Sequence, residues 1–376
     1  VKALIIGGGI AGPVTALALR KAGIDSVVFE AYDTTADGVG GMLSVAPNGL
    51  AALKLVGLEP DFGEPLRHMV MADAQGRTLG RVSGEMSRVV PRAELYQRLR
   101  ELSVAQRIKV EHGKRLVDVR SENGVTATFS DGSTEHGDVL VGADGIRSTV
   151  RTIIDPRAPR PEYVGLLGMG SYAENSGVHG DPETMYFVFG SSFLGYWEQA
   201  DGTIAWFNNL AVDDPDEQTT VPWLDRLREA YGDDMPAKQL LAHSQEVVAA
   251  GPLEIMPSVP HWYRDRMVLV GDSAHAPSAS SGQGASLAAE SAVQLARCLR
   301  DIPDIPTAFA TYEQLRRPRV ERIAARAART NSNKRGIGPI TRLLMPLAMK
   351  TFGARAFTKE QNYRIDWDAR VTSRSR

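Results

Sequence analysis

The chain has a single cysteine, Cys298, in 376 residues. No intramolecular disulfide can form, which excludes a disulfide-stapled secreted scaffold. Cys298 sits in an apolar helical pattern and reads as a buried thiol, so a reducing cytoplasm is the expected compartment. Charge of either sign is not in excess: 43 Lys and Arg face 45 Asp and Glu, a formal net charge of −2. That balance lacks the basic footprint of a nucleic-acid binder. Long hydrophobic runs are missing as well. The longest uncharged stretch near the start, Ala3 to Leu19, is broken by glycines and a proline and is short for a spanning helix, so no stable membrane insertion is expected. With a first strand beginning at residue 2 or 3, no targeting peptide is expected in front of it. No His, Cys and carboxylate group has metal-ligand spacing, so no metal is expected. No Gly-x-Ser-x-Gly nucleophile elbow occurs, and no internal repeat.

What is present begins at residue 3. Ala3-Leu4-Ile5-Ile6 reads as a buried strand, followed by Gly7-Gly8-Gly9-Ile10-Ala11-Gly12. A second apolar run, Ser26 to Phe29, ends at Glu30, 18 residues beyond Gly12. This is the βαβ fingerprint of a dinucleotide-binding fold. Gly7 permits a sharp turn, Gly9 leaves room for a pyrophosphate, and Gly12 lets the next helix pack close. The helix opening at Ile10 and Ala11 aims free amides and its positive dipole end at phosphate. Glu30 is placed to accept from a ribose hydroxyl.

Further along, helical spacing marks Leu50 to Leu55 and Arg92 to Leu102, and a hairpin turns at Gln75-Gly76 between 68–72 and 77–82. Short strands follow at 108–111, 116–120, 125–129 and 139–141. From Glu162 to Leu210 alternation takes over, at 163–172, 184–189, 193–199 and 203–210, and predicts an antiparallel sheet inserted into an α/β framework. Helices are expected at 221–231 and 236–243. An apolar strand returns at Met267 to Val270, then long helices from about Gly282 to Arg300 and Pro306 to Thr330. The fold expected is α/β: a Rossmann-like nucleotide domain in three pieces (1–67, 86–160, 262–335), a β-rich substrate domain (68–85, 161–261) and a C-terminal helical segment (336–376). Arg316 to Arg335 carries eight positive residues against Glu321 alone, and reads as a solvated helix face, with a phosphate or anionic-surface contact as the alternative.

Two more strand–turn–helix motifs carry chemistry. One is Gly142-Ala143-Asp144-Gly145-Ile146-Arg147-Ser148-Thr149-Val150-Arg151. The other is Leu269-Val270-Gly271-Asp272-Ser273-Ala274-His275, followed by Gly282-Gln283-Gly284-Ala285. Asp272 can accept from a ribose or ribitol hydroxyl, and Gly282 and Gly284 bring helix N-terminal amides within reach of a ring system and its phosphate. Together the motifs describe a nucleotide site with two ends. Bland readings stand beside these: Asp144 as a helix cap, Arg92 as a surface charge at a helix start, and His275 as a structural hydrogen bond in a tight turn.

In this order and spacing, over roughly residues 1 to 335, the three motifs resemble those of the single-component FAD-dependent aromatic hydroxylases. These are of the para-hydroxybenzoate hydroxylase type and include tetracycline-inactivating monooxygenases. The resemblance implies non-covalent FAD, its ADP half at Gly7, Gly9, Gly12 and Glu30. It implies that Arg92, in Val90-Pro91-Arg92, contacts the flavin, that Asp144 serves FAD and NAD(P)H, that Asp272 holds the flavin side chain, and that the Gly284-Ala285 amides face the isoalloxazine. It implies a reaction in which NAD(P)H reduces FAD, O₂ adds to give a C4a-hydroperoxide, and an aromatic substrate takes up one oxygen. Two departures fall in the flavin-facing loop: Ala276-Pro277-Ser278-Ala279-Ser280-Ser281 lacks the family's usual run of prolines, and Ser286 stands where Asn is frequent.

The inserted sheet is the expected roof over the ring. Phe187, Trp197 and Trp206 are its candidate substrate contacts, although alternation puts Trp206 and Phe207 on opposite faces. A flavin-dependent reductase of isoprenoid double bonds and a non-catalytic flavin-bearing protein are the alternatives. A flavin halogenase is excluded by the lack of a Trp-x-Trp-x-Ile-Pro run.

Overall fold

The structure is a computed structural model that describes residues 1–33, 41–215, 221–247, 249–334 and 360–372. In chain order its elements are β1 (Lys2–Ile6), α1 (Ala11–Lys21), β2 (Asp25–Phe29), β3 (Met42–Val45), α2 (Pro47–Leu55), β4 (Glu64–Asp73), β5 (Thr78–Pro91), α3 (Arg92–Ala105), β6 (Lys109–Glu111), β7 (Leu116–Arg120), β8 (Val125–Phe129), β9 (Thr134–Gly137), β10 (Val139–Gly142), α4 (Thr149–Ile154), β11 (Glu162–Ala173), β12 (Thr184–Phe189), β13 (Phe193–Glu198), β14 (Ile204–Ala211), α5 (Trp223–Tyr231), α6 (Ala237–Ala242), β15 (Ala249–Ile255), β16 (Tyr263–Arg264), β17 (Met267–Leu269), α7 (Gly284–Asp301) and α8 (Ile305–Lys334).

The first sheet has the order β16-β17-β10-β1-β2-β6. All its pairings are parallel except the edge pair β16–β17. Ala3 to Ile6, Val139 to Val141 and Met267 to Leu269 are buried. A parallel strand covered on both faces needs such a continuous apolar run, because neither face meets water. Helices α1 and α7 pack against each other over this sheet. A small sheet, β7-β8-β9, lies beside it.

The second sheet has the order β15-β11-β14-β13-β12-β4-β5-β3. Its pairings are antiparallel as expected, except that β12 pairs with β4 in parallel, Thr184 opposite His68 through Phe189 opposite Asp73. The reason is topological: the β4–β5 hairpin comes from a distant part of the chain and docks alongside β12. Strands β3 and β15, which complete the sheet, carry no alternation long enough to mark them in the sequence. One face packs Tyr196, Ile204 and Trp206 against Leu224, Leu227 and Leu240 of α5 and α6. The other gathers Leu66, Val89, Met185, Trp197 and Ala205 with Met42, Phe187 and Phe207.

One expectation changes. The basic stretch is not simply a solvated face, because Arg316 and Arg319 are buried and paired with Glu290. The helix expected in 336–376 falls mainly outside the described residues. Of that segment, 360–372 is described, and it is a strap with helix only at 360–361. Trp367 of the strap lies between Lys21 and Arg300, 5.2 and 4.8 Å from its ring centre. Val371 N donates to Asp301 Oδ2 (2.7 Å).

Candidate functional site

The three glycine turns leave the carboxyl ends of β1, β10 and β17, which are neighbours in the first sheet. Open parallel sheets bind ligands at that edge. The turns pack so closely that side chains are excluded between them. A Cβ on Gly12 would stand 1.9 Å from Gly7 O, and one on Gly7, whose φ is +107°, would stand 2.4 Å from Ala143 O. Ala143 N donates to Ile6 O, Val270 N to Gly142 O, and Ser273 Oγ to Gly142 O. Arg151, the last residue of the second motif, ties the second turn to the third. Its Nη1 donates to Ser273 O (3.0 Å) and its Nη2 to Ile146 O (2.7 Å). Its place at the end of that motif is the sequence signal for it, and its partners appear only in the structure.

At the first turn, Ile10 is the N-cap of α1 and Ala11 its first residue, with no side-chain cap and no acid in the first turn. The leading amides therefore face the cleft without a protein acceptor from a cap. A Cβ on Gly9 would meet nothing nearer than Tyr96 Oη, at 3.9 Å. Glu30 closes this end, accepting from Gly8 N (2.6 Å) and Tyr32 N (3.0 Å). A carboxylate has about four acceptor positions, so two remain for ribose hydroxyls.

At the third turn, Asp272 has no hydrogen-bond partner among the described residues. It keeps a water-accessible edge, yet the surrounding protein desolvates it enough to push its pKa up to about 6, with the Arg92 charge pulling the other way. Arg92 opens α3. Its backbone N donates to Gly41 O (3.1 Å), and its exposed guanidinium lies 5.8 Å from the Tyr96 ring. Arg92 and Tyr96 thus stand between the first and third turns. Gly282, at φ +58°, ends a short 3₁₀ turn. It delays the helix to Gly284, two residues later than the pattern suggests. Gly284 and Ala285 open α7, which again has no side-chain cap and no acid in its first turn.

Two candidates take structural parts. Asp144 is engaged by the helix that follows it. Its carboxylate accepts from Ser148 Oγ (2.5 Å), Thr149 N (2.7 Å) and Val150 N (3.1 Å), so it supports the start of α4, whose N-cap is Ser148, and fixes the second turn. His275 is buried, with Nε2 2.9 Å from Ser291 Oγ. Burial first, and the Arg316 charge second, push its pKa down to about 3. A neutral, enclosed imidazole is a structural group.

The roof candidates divide by face. Phe187 pairs with Gly195 and Gly195 with Phe207, while Trp197 pairs with Ala205. Phe187, Trp197 and Phe207 therefore share one face, and Phe187 and Phe207 remain partly open there. Phe193 lies among them, 5.6 Å from the Phe187 ring and 5.9 Å from that of Phe207. The patch includes Met42, the neighbour of Gly41 on which Arg92 rests. Trp206 is on the opposite face, buried against α5 and α6, with Nε1 donating to Ser244 Oγ (2.9 Å). It is withdrawn as a substrate contact because the strand's two-residue period turns it away from the patch.

The fold and the three converging turns define a nucleotide-binding flavoprotein. The FAD binding domain family matches residues 1–327, and the chain belongs to that family, as an FAD-dependent monooxygenase of the hydroxylase class. It is similar to an FAD-dependent urate hydroxylase of Klebsiella pneumoniae, 30% identical over 87% of this chain and 88% of that protein. An aurachin C monooxygenase/isomerase of Stigmatella aurantiaca is 29% identical over 83% of this chain and 84% of its own length. The crystal structure of Klebsiella pneumoniae HpxO with FAD and uric acid superposes with a TM-score of 0.84, at 26% identity, over 96% of each chain. The residues present fit FAD: bare glycines at 9 and 284, two uncapped helix starts, and an unpartnered carboxylate at Asp272 beside Arg92. No helix among the described residues is long and apolar enough to cross a membrane.

Proposed function

We propose that the protein hydroxylates an uncharged aromatic small molecule held between the third turn and the Phe187–Trp197 face of the second sheet. The composition of that face carries the reading. Its inward positions on β12, β13 and β14 are Met185, Phe187, Phe189, Phe193, Gly195, Trp197, Ala205, Phe207 and Asn209, with no Lys, Arg or His. Such a surface favours a flat apolar ring, with ring-to-ring contacts contributing beyond area burial. Glu64 borders the patch beside Trp197 and Gln199. Burial raises its pKa, although the neighbouring Trp197 and Gln199 side chains oppose the rise. A carboxyl there suits a substrate hydroxyl or ring N–H and disfavours an anion.

When bound, FAD reduced by NAD(P)H supplies the activation of O₂ and the transfer of one oxygen to the ring. The first turn and Glu30 hold the adenosine half. Asp272 and Arg92 would hold the ribitol and flavin edge, and the Gly284 and Ala285 amides would offer preorganised donors to the isoalloxazine. The aromatic face excludes water from the reacting atoms. Asp144 would support the cofactor indirectly, by fixing the start of α4. The glycine-turn sheet with α1, α7 and α8 acts as the FAD domain, the second sheet as the substrate domain, and cytoplasm is the compartment.

A screen of NAD(P)H oxidation against phenols, indoles and polycyclic aromatics under ¹⁸O₂ tests this. One ¹⁸O in the product supports it. A product without ¹⁸O identifies a reductase, and oxidation that no aromatic stimulates overturns the substrate class.

A further inference from the structure

Behind the third turn lies a buried polar network that the flavin reading leaves without a task. Its centre is Glu290 of α7, 1% exposed, paired with Arg316 of α8, 0% exposed, at 2.7 Å, and with Arg319 at 2.8 Å. Burial would raise the Glu290 carboxyl, but the two guanidinium groups outweigh it and hold it below its ordinary value. The strap closes the cluster from outside. Glu360 O accepts from Arg319 Nη2, and the Tyr363 ring stands 4.2 Å from the Arg319 guanidinium and 5.9 Å from that of Arg316.

Two branches run from this centre to the backbone that would face FAD. In one, Arg316 Nε donates to Ser291 Oγ (3.1 Å), which lies 2.9 Å from His275 Nε2, at the end of the Asp272 turn. In the other, Asn48 of α2 donates from a single nitrogen to Glu290 Oε1 (2.6 Å) and to Gln283 Oε1 (2.9 Å). Gln283 is the N-cap of α7, directly before the Gly284 and Ala285 amides.

The direction of this second branch is fixed by chemistry. An ionised Glu290 can only accept, so Asn48 must present its amide nitrogen, and Gln283 must then present its oxygen. Gly282 and Gly284 leave the outer side of the turn bare, while the Gln283 side chain is anchored inward. The approach of α2 and α7 is set at the same place. Ala46 N donates to Ser286 Oγ (3.0 Å), and a Cβ on Gly49 would stand 2.4 Å from that oxygen. The serine at 286 thus fits against Gly49 where a longer side chain would not.

We propose that Asn48 and Gln283 are positioning residues, through which the Glu290–Arg316–Arg319 cluster sets the orientation of the Gly284 and Ala285 amides toward the flavin. This rests on the flavin reading above. It assigns a task to the buried part of the basic stretch: the arginines act on the cofactor loop from behind and do not touch an external anion.

The test is FAD titration of apoprotein, followed by the midpoint potential of the bound flavin, in the parent, Asn48→Leu, Gln283→Leu, the double variant and Gln283→Glu. Each single Leu variant is expected to weaken FAD about tenfold or more, the scale of one buried hydrogen bond to a fixed partner. Each is also expected to make the potential more negative, because donors aimed at the flavin favour its reduced anion. The double variant should fall within about twofold of the worse single one, since both changes cut one chain. Gln283→Glu keeps the acceptor, and the surplus positive charge of the cluster offsets its carboxylate, so it should recover most of what Gln283→Leu loses. If Asn48→Leu does not fold, the two Gln283 variants decide alone. Independent losses that multiply, an unchanged potential, or no difference between Gln283→Leu and Gln283→Glu would overturn the proposal. A parent protein that takes up no FAD would overturn the flavin reading instead.

Discussion

Gly271 lies against Ala11: a Cβ on Gly271 would stand 2.8 Å from the Ala11 methyl and 3.3 Å from that of Ala288. The first and third motifs, 260 residues apart in sequence, therefore meet through a missing side chain, and the starts of α1 and α7 converge on one cleft. Gly271 also has φ +66°, whereas Gly282, at φ +58°, has open space where its Cβ would be. Gly282→Ala should cost only the left-handed strain, about 1 kcal/mol. Gly271→Ala adds a clash with two packed methyls and should cost roughly 1–3 kcal/mol more. Urea unfolding of the two apoproteins checks this, and equal losses would contradict the close approach.

Asp272 and Asp144 look alike in sequence but part in the structure. Asp272→Ala should weaken FAD roughly ten- to a hundredfold, the scale of one charge-assisted hydrogen bond, with little change in apoprotein stability. Asp144→Ala should do the reverse, costing about 0.5–2 kcal/mol through its lost bonds to Ser148 and the leading amides of α4 and weakening FAD less. Parallel FAD titrations and thermal unfolding read both quantities. Equal FAD affinities would show that the capping carboxylate also reaches the cofactor.

His275 supplies a pH signature. Its pKa is about 3 in the folded protein and about 6.5 when unfolded. Between those values the unfolded chain binds the extra proton, so this group's contribution is present above pH 6.5 and is lost as pH falls toward 3. His275→Gln keeps a hydrogen bond to Ser291 and removes the titration. The parent should lose stability relative to the variant by about 1 kcal/mol per pH unit between pH 6 and 4. Urea midpoints at several pH values measure this, and parallel curves would contradict a buried neutral imidazole. Substantial turnover should survive in His275→Gln, because this group does not face the cleft.

On the roof, the two faces predict two phenotypes. Phe187→Ala opens a partly exposed aromatic patch. It should raise hydrogen peroxide formed per NAD(P)H consumed, with FAD content unchanged. Trp206→Phe loses the bond to Ser244 on the helix-packed face and should cost about 0.5–1.5 kcal/mol of stability, with coupling unchanged. Peroxide assays and melting curves separate the two, and uncoupling in Trp206→Phe would return that residue to the substrate cavity.

The parts of the fold that repeat a local rule were legible in the sequence. Gly7-x-Gly9 after a buried strand, the apolar runs of β10 and β17, and the alternation of β11 to β14 each carry their structure in a few neighbouring residues. What was not legible depends on the chain's return. The parallel docking of β12 on β4 and the edge strands β3 and β15 are settled by partners far away in sequence. The same holds for Arg316 and Arg319. A run of arginines reads as solvated until Glu290 arrives from another helix to neutralise part of it. Asp144 and Asp272 share a strand–turn–helix setting. Only the following residues decide their parts, with Ser148, Thr149 and Val150 absorbing one carboxylate while the other is left beside Arg92.

The central claim is that the three turns form one FAD site. The most direct measurement is the cofactor content of the purified protein, by visible absorption and by chromatography of the supernatant after acid precipitation. The account predicts one FAD per chain, released completely by acid. Flavin retained in the precipitate would contradict the non-covalent site. A protein without flavin bands whose fluorescence does not respond to added FAD would contradict the account as a whole.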